Sequence, residues 1–278
     1  MTQIRLLVLD IDGTIAGQSN QVSEGVRQAI AAAQANGIAV AIATGRMYQS
    51  AVRFHQAVQS TLPLMAYQGA WIQDPITQTR YRHTPLPRAA ALSLLAALAD
   101  LEAQARLSVH LYIDDALHVR DILPETTDYA TRSGVDPVAV GSLAPFLEQN
   151  TRLETTKLLA LSPDPEIVAN LLAQLRQRYA PEDLYLTQSV STFFEATHPL
   201  ANKGSAVQFV AETLMGLTAD QVMTIGDNFN DWEMLRYAGI GVAMGDAPEA
   251  VKAIADWVAP SVEEDGVAIA IQEFLLAA

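Results

Sequence analysis

The chain has 278 residues, half of them apolar, a formal net charge of −14 and no cysteine. That length holds one large domain or two modest ones with a substantial core. The acidic balance argues against nucleic acid as a partner, which needs clustered Lys and Arg, and the missing cysteines exclude disulfides, thiolate metal sites and cysteine nucleophiles.

The apolar run Ile4 to Leu9, broken only by Arg5, reads as a buried strand that ends at Asp10. Ser23 predicts a helix cap for Glu24 to about Asn36, with Val26, Ile30 and Ala33 on one face and Gly37 as its stop. Ile38 to Ala43 is a continuous apolar strand of the kind a parallel sheet buries on both faces, and it leads into Thr44-Gly45-Arg46. Short strands are expected at Met65 to Tyr67 and Trp71 to Gln73, around Gln68-Gly69-Ala70, and at Gln78 to His83 after the turn Asp74-Pro75.

From about Thr84 to Val190 the character changes. A helix over Arg88 to Gln104 precedes two alternating strands, Leu107 to Ile113 and Leu117 to Val119, joined at Asp114-Asp115. The alternation predicts a sheet with one solvated face. Strands at Val138 to Val140, Lys157 to Leu161 and Leu184 to Thr187 follow, with a helix at Glu166 to Tyr179. Beyond residue 190 the pattern returns to helix Lys203 to Leu214, strand Val222 to Ile225, helix Asp231 to Tyr237 and strand Gly241 to Met244. Helix Pro248 to Ala255, strand Asp256 to Val258 and a closing helix from Val267 complete it. The expected fold is α/β: a doubly wound, mostly parallel Rossmann-like core of residues 1–83 and 191–278, with an inserted α+β domain at 84–190.

No basic segment with an apolar core and a cleavage site opens the chain. The Ala/Leu stretch Ala89 to Ala99 is shorter than the ~20 residues a bilayer crossing takes. A cytoplasmic protein with no membrane partner is expected; oligomeric state is not readable.

Asp10-Ile11-Asp12-Gly13-Thr14 puts two carboxylates at a strand end where Gly13 lets the chain turn. Gly226-Asp227-Asn228-Phe229-Asn230-Asp231 repeats the arrangement after Val222 to Ile225. Open α/β sheets bind ligands at such carboxyl ends. A calcium loop does not fit, since its required glycine falls on Ile15. Lys203-Gly204-Ser205 lacks the upstream glycine of a nucleotide P-loop, and the histidines show no metal spacing.

These four segments, Asp10 to Thr14, Thr44, Lys203 and Gly226 to Asp231, stand in the order of the four motifs of haloacid dehalogenase-like (HAD) phosphatases, which the chain resembles. Ala43-Thr44-Gly45-Arg46, Lys203-Gly204, the stretch Gly241 to Ala247 and Glu264-Asp265-Gly266-Val267 are similar to the Cof-type branch, subclass IIB. Gln68 and Asp246 depart from it, each standing where that branch commonly has Asn. The resemblance implies a large α+β cap that closes over the core, excludes water and supplies specificity contacts. It also implies a Mg²⁺-dependent phosphatase acting on small phosphorylated metabolites, either sugar phosphates or phosphorylated cofactors such as flavin mononucleotide or pyridoxal phosphate.

The residues suit that chemistry. A phosphate ester repels a carboxylate until a hard cation cancels charge. Asp10 is the expected nucleophile, giving an aspartyl-phosphate, and Asp12 the acid that protonates the leaving oxygen and then activates water. Thr44, Gly45, Arg46, Lys203 and Asn230 are expected to bind the phosphoryl group and substrate, with Lys203 stabilising transferred charge. Asp10, Asp12 (through its carbonyl, by the resemblance), Asp227 and Asp231 are the expected metal site; either Asn230 or Asp231 could instead touch Lys203 or a metal-bound water. A phosphotransferase or phosphomutase with the same intermediate, and a non-catalytic phospholigand-binding module, are the alternatives.

Overall fold

The computed structural model describes residues 3–276. The chain forms two compact units, one from the residues up to Arg82 together with those from Asn202 on, the other His83–Ala201.

The first unit is built on a five-stranded sheet in the order Trp257–Val258, Ile240–Ala243, Val222–Gly226, Leu6–Leu9, Ala39–Ile42. Every neighbouring pair is parallel. Leu6 and Val8 pack in one core cluster with Val207, Val210 and Met234. Leu7 and Leu9 point the other way by the two-residue period and are equally inaccessible, so both faces are covered. This is the doubly wound α/β arrangement that the sequence predicts.

Local signals fix most elements. Ser23 caps the helix Glu24–Ala35 by accepting from the Val26 amide at 3.1 Å, and Val26, Ile30 and Ala33 form its buried face. Strand register then brings the loops together. Leu9 lies opposite both Ile42 and Ile225, so the residues just past these strands, Asp10, Thr44 and Asp227, emerge together at the carboxyl edge. The helix Tyr48–Ala57 is not among the elements expected from the sequence; it buries Ala51 and Phe54 but has no side-chain cap to announce it.

The second unit carries a six-stranded sheet in the order Tyr185–Thr187, Phe193–Thr197, Thr155–Leu161, Ser108–Ile113, Ala116–Val119, Pro137–Ala139. Leu94, Leu98, Leu111, Leu158, Leu171 and Phe194 belong to its apolar core. The hairpin at Asp114 and Asp115 uses φ of 49° and 58°, the left-handed pair a tight two-residue loop demands. The expected solvated face is a correction: Ser108–Ile113 and Thr155–Leu161 are buried at every position. Polar partners make this tolerable. His110 meets Thr126 at 3.1 Å and Tyr112 donates to Tyr129 at 2.7 Å, both on the helix Pro124–Ser133. On Phe193–Thr197, Glu195 is buried against Lys157 at 2.9 Å. Since this strand pairs with Thr155–Leu161, the chain returns to the first unit only at Asn202.

Candidate active site

Asp10 leaves the central strand with its amide donating to the Ile225 carbonyl at 3.1 Å. Gly13 then turns with φ of 80°, and a Cβ there would stand 2.3 Å from Asp227 Oδ2. Only glycine allows both that backbone and that approach. The Thr14 hydroxyl completes the contact, donating to Asp227 Oδ1 at 3.3 Å.

Lys203 opens the helix Lys203–Gln208, whose cap Asn202 accepts from the Ser205 amide at 2.8 Å. The lysine is fully buried, with Nζ 2.7 Å from Asp10 Oδ1 and 2.5 Å from Asp231 Oδ1. Asp231 Oδ2 accepts from the Asp227 and Asn228 amides at 2.8 and 3.0 Å. Both Asp231 oxygens are therefore engaged, one on the lysine and one on the acidic loop. Burial works against charge on Lys203, but Asp10 and Asp231 outweigh it and raise the ammonium's proton affinity.

Carboxylate oxygens of Asp10, Asp227 and Asp231 lie within 4.8 Å of one another. Burial pushes the Asp10 carboxyl up to about 7; Lys203 opposes this and Asp231 adds to it. Burial likewise raises Asp227 well above the carboxylate range, reinforced by Asp231 and Asp10. Three carboxylates face one ammonium, so the centre is short of positive charge. An all-oxygen set with that deficit fits a hard divalent cation such as Mg²⁺.

The Asp12 carboxylate stands outside this cluster. Arg46 grips it with two charge-assisted bonds, Nε to Oδ2 at 2.7 Å and a terminal nitrogen to Oδ1 at 2.6 Å, and also donates to Asn20 Oδ1 at 2.6 Å. Its guanidinium lies 4.6 Å from the centre of the Phe54 ring. Thr44 is buried, accepting at Oγ1 from the Arg46 amide at 3.2 Å. Asn230 is buried, and its Nδ2 donates to Gln68 Oε1 at 3.3 Å. Asn20 and Gln68 were absent from the expected site. Asn20 carries no motif, and Gln68 stood out in the sequence only as a departure from the Cof-type pattern. His198 joins no acidic cluster among the described residues; its Nδ1 accepts from the Leu200 amide at 3.1 Å.

Comparison with known proteins gives the family. A family model described as haloacid dehalogenase-like hydrolase matches residues 7–271. The chain is 30% identical to the 5-amino-6-(5-phospho-D-ribitylamino)uracil phosphatase YitU of Bacillus subtilis, over 98% of each chain. It is 28% identical to the pyridoxal phosphate phosphatase YbhA of Escherichia coli, over 98% of this chain and 99% of the other. A solved haloacid dehalogenase-like hydrolase from Bacillus subtilis superposes with a TM-score of 0.85 at 26% identity, covering 98% of this chain and 100% of that one. Among the described residues no helix is long and apolar enough to cross a membrane.

Proposed function

We propose, from the premise that this chain belongs to the haloacid dehalogenase-like hydrolase family, that it is a Mg²⁺-dependent phosphatase of small phosphorylated metabolites working through an aspartyl-phosphate on Asp10. The observation that carries the reading is the buried contact of Lys203 with Asp10 and Asp231 beside Asp227. A fold needs no such crowding of acids, and burying it costs stability. A nucleophile, a fixed cation and an acidic oxygen set are what phosphoryl transfer requires.

Asp10 attacks phosphorus, and the bond to the leaving oxygen breaks. Asp12, protonated and released from the Arg46 pair seen here, supplies the proton to that oxygen. In the second half Asp12 takes a proton from water, which attacks phosphorus and frees the Asp10 carboxylate. Lys203 and Thr44 offer an ammonium and a hydroxyl to the transferred group. Asp231 holds Lys203 in place. Asp10 and Asp227, with the Asp12 carbonyl, are the residues that would hold the cation, which when bound supplies neutralising charge to the phosphate.

Sugar phosphates and phosphorylated cofactors are the proposed substrates; the name of the pyridoxal phosphate phosphatase supports the cofactor side, and that of the phosphoribitylaminouracil phosphatase supports a small phosphorylated metabolite. Residues His83–Ala201 form the inserted cap in this reading, and substrate choice resides there. The test is phosphate release from a panel of sugar phosphates, nucleotides and cofactor phosphates, with Mg²⁺ and with excess chelator. Metal-dependent turnover supports the proposal. Ligand binding without turnover contradicts it, and transfer to an added sugar instead of water points to a phosphotransferase.

A further inference from the structure

The mechanism leaves one strained segment of the first unit unused. Tyr67, Gln68 and Gly69 have consecutive positive φ of 52°, 58° and 92°. All three are buried. Asp114 and Asp115 share such backbone in a surface hairpin, where Asp adopts it readily, whereas Tyr67 and Gln68 hold it inside the protein, where their surroundings must over-determine it.

The contacts of this segment reach each loop that carries a phosphoryl-binding group. The Tyr67 amide donates to the Arg46 carbonyl and the Gln68 amide to the Thr44 carbonyl, both at 2.9 Å. The Gln68 side chain crowds Gly45, its Nε2 only 2.4 Å from where a Cβ would project. Its Oε1 accepts from Asn230, across 162 positions of sequence. Gly69 backs onto the Asn202 carbonyl, 2.8 Å from its own missing Cβ, at the cap of the helix that begins with Lys203.

Asn230 supplies the second observation. Its Oδ1 is buried and has no hydrogen-bond partner among the described residues, and its Nδ2 has two hydrogens, one of them directed at Gln68. The second Nδ2 hydrogen is a donor that a phosphoryl oxygen can take, while the orphaned Oδ1 is an acceptor for a substrate hydroxyl or a cation.

We infer that Gln68 is a positioning residue of the phosphoryl site: its carboxamide holds Asn230 and the Thr44-Gly45 turn in one register, so that both address the same phosphoryl group. This rests on the phosphatase reading above. It also gives the departure at position 68 a physical meaning, since the longer glutamine spans from the turn to the Asn230 loop.

Two variants separate the amide from the backbone. Gln68→Gly relaxes the positive φ and deletes the carboxamide; Gln68→Met keeps the length and deletes only the amide. With p-nitrophenyl phosphate, both are expected to lose about ten-fold or more in kcat/KM, the scale that small misplacements reach. The inhibition constant of vanadate, a probe of the phosphoryl pocket, should rise by a similar factor while circular dichroism stays native. Asn230→Ala should lose comparably, and adding Gln68→Met to it should cost little more, because groups acting as one unit are not additive. Wild-type kinetics and vanadate inhibition in a folded variant, or fully additive losses, would overturn the inference. If both variants fail to fold, Gln68→Asn, which tolerates positive φ and keeps a shorter amide, decides by the same readouts, with wild-type behaviour overturning it. A wild-type protein that hydrolyses no ester refutes the phosphatase reading instead. Calorimetric vanadate binding to wild type and variants then still tests Gln68, and equal affinities overturn its role.

Discussion

Asp227→Asn should stabilise the metal-free protein and abolish its response to Mg²⁺. The Asp227 carboxylate lies within 4.8 Å of those of Asp10 and Asp231. At an effective dielectric of about 20, each like-charge pair at that distance costs roughly 3.5 kcal/mol. Lys203 offsets one of them, and solvent at the partly exposed edge of Asp227 screens some of the rest. Taking up a proton limits the penalty near pH 7 to about 4 kcal/mol, the cost of shifting a carboxyl from its ordinary value to that pH. The expected gain in chelator is therefore about 1–3 kcal/mol. The sign comes from linkage. The folded carboxyl holds its proton more tightly than the unfolded one, so wild-type stability declines as pH rises above about 4. The advantage of asparagine should be full near neutrality and vanish in acid. Urea unfolding with and without Mg²⁺ reads both effects. Wild type should gain about 2.7 kcal/mol at a hundred-fold excess over Kd, and the variant nothing. A variant less stable than wild type in chelator, or one that keeps the wild-type Mg²⁺ gain, would refute the reasoning.

Lys203→Ala removes the ammonium from a buried acidic cluster and should lower kcat/KM by about 10²-fold or more. It should also destabilise the metal-free fold, by about 3–5 kcal/mol in urea titrations; unchanged stability would mean the cluster discharges itself by protonation. In the second unit, burial and the nearby Lys157 charge depress His110 to about 3, from an ordinary 6.5. The unfolded imidazole takes a proton below about 6.5 while the folded one does not, so stability should fall with pH across that window, by ~2 kcal/mol at about pH 5. His110→Gln should flatten that part of the pH profile, as measured by thermal unfolding. Glu195→Gln deletes the carboxylate facing buried Lys157 and should cost about 3–5 kcal/mol, whereas Glu195→Leu with Lys157→Met should recover most of it.

What the sequence disclosed depended on how local each signal was. Asp10, Asp12 and Gly13 stand in one short segment directly after an apolar strand, and Asp227 and Asp231 repeat that grammar, so the family and the α/β core were legible from them. The cluster is then a consequence of register, because parallel strands that place Leu9 against Ile42 and Ile225 leave their carboxyl ends together. The grip of Arg46 on Asp12 was not legible, since it depends on a side-chain direction 34 residues away. Gln68 reads in the sequence as part of a loop between short strands, and its partner Asn230 lies 162 positions on. The strand Phe193–Thr197 was hidden by Glu195, an acid at a position a strand buries; the Lys157 ammonium on the neighbouring strand and the Ser189 hydroxyl make it admissible. The helix Pro124–Ser133 did carry signals, Pro124 at its start and left-handed Gly134 at its end, but its polar sequence concealed the face that covers the sheet.

The most direct test of the account is to trap the phosphoryl group on the chain. Rapid quenching of wild type with a radiolabelled phosphate ester should give a label on the peptide containing Asp10, stable in acid and released by hydroxylamine. Asp10→Asn, folded by circular dichroism, should give neither label nor phosphate. Phosphate release by that variant at near-native rate, or a label on any other residue, would contradict the claim that Asp10 is the nucleophile.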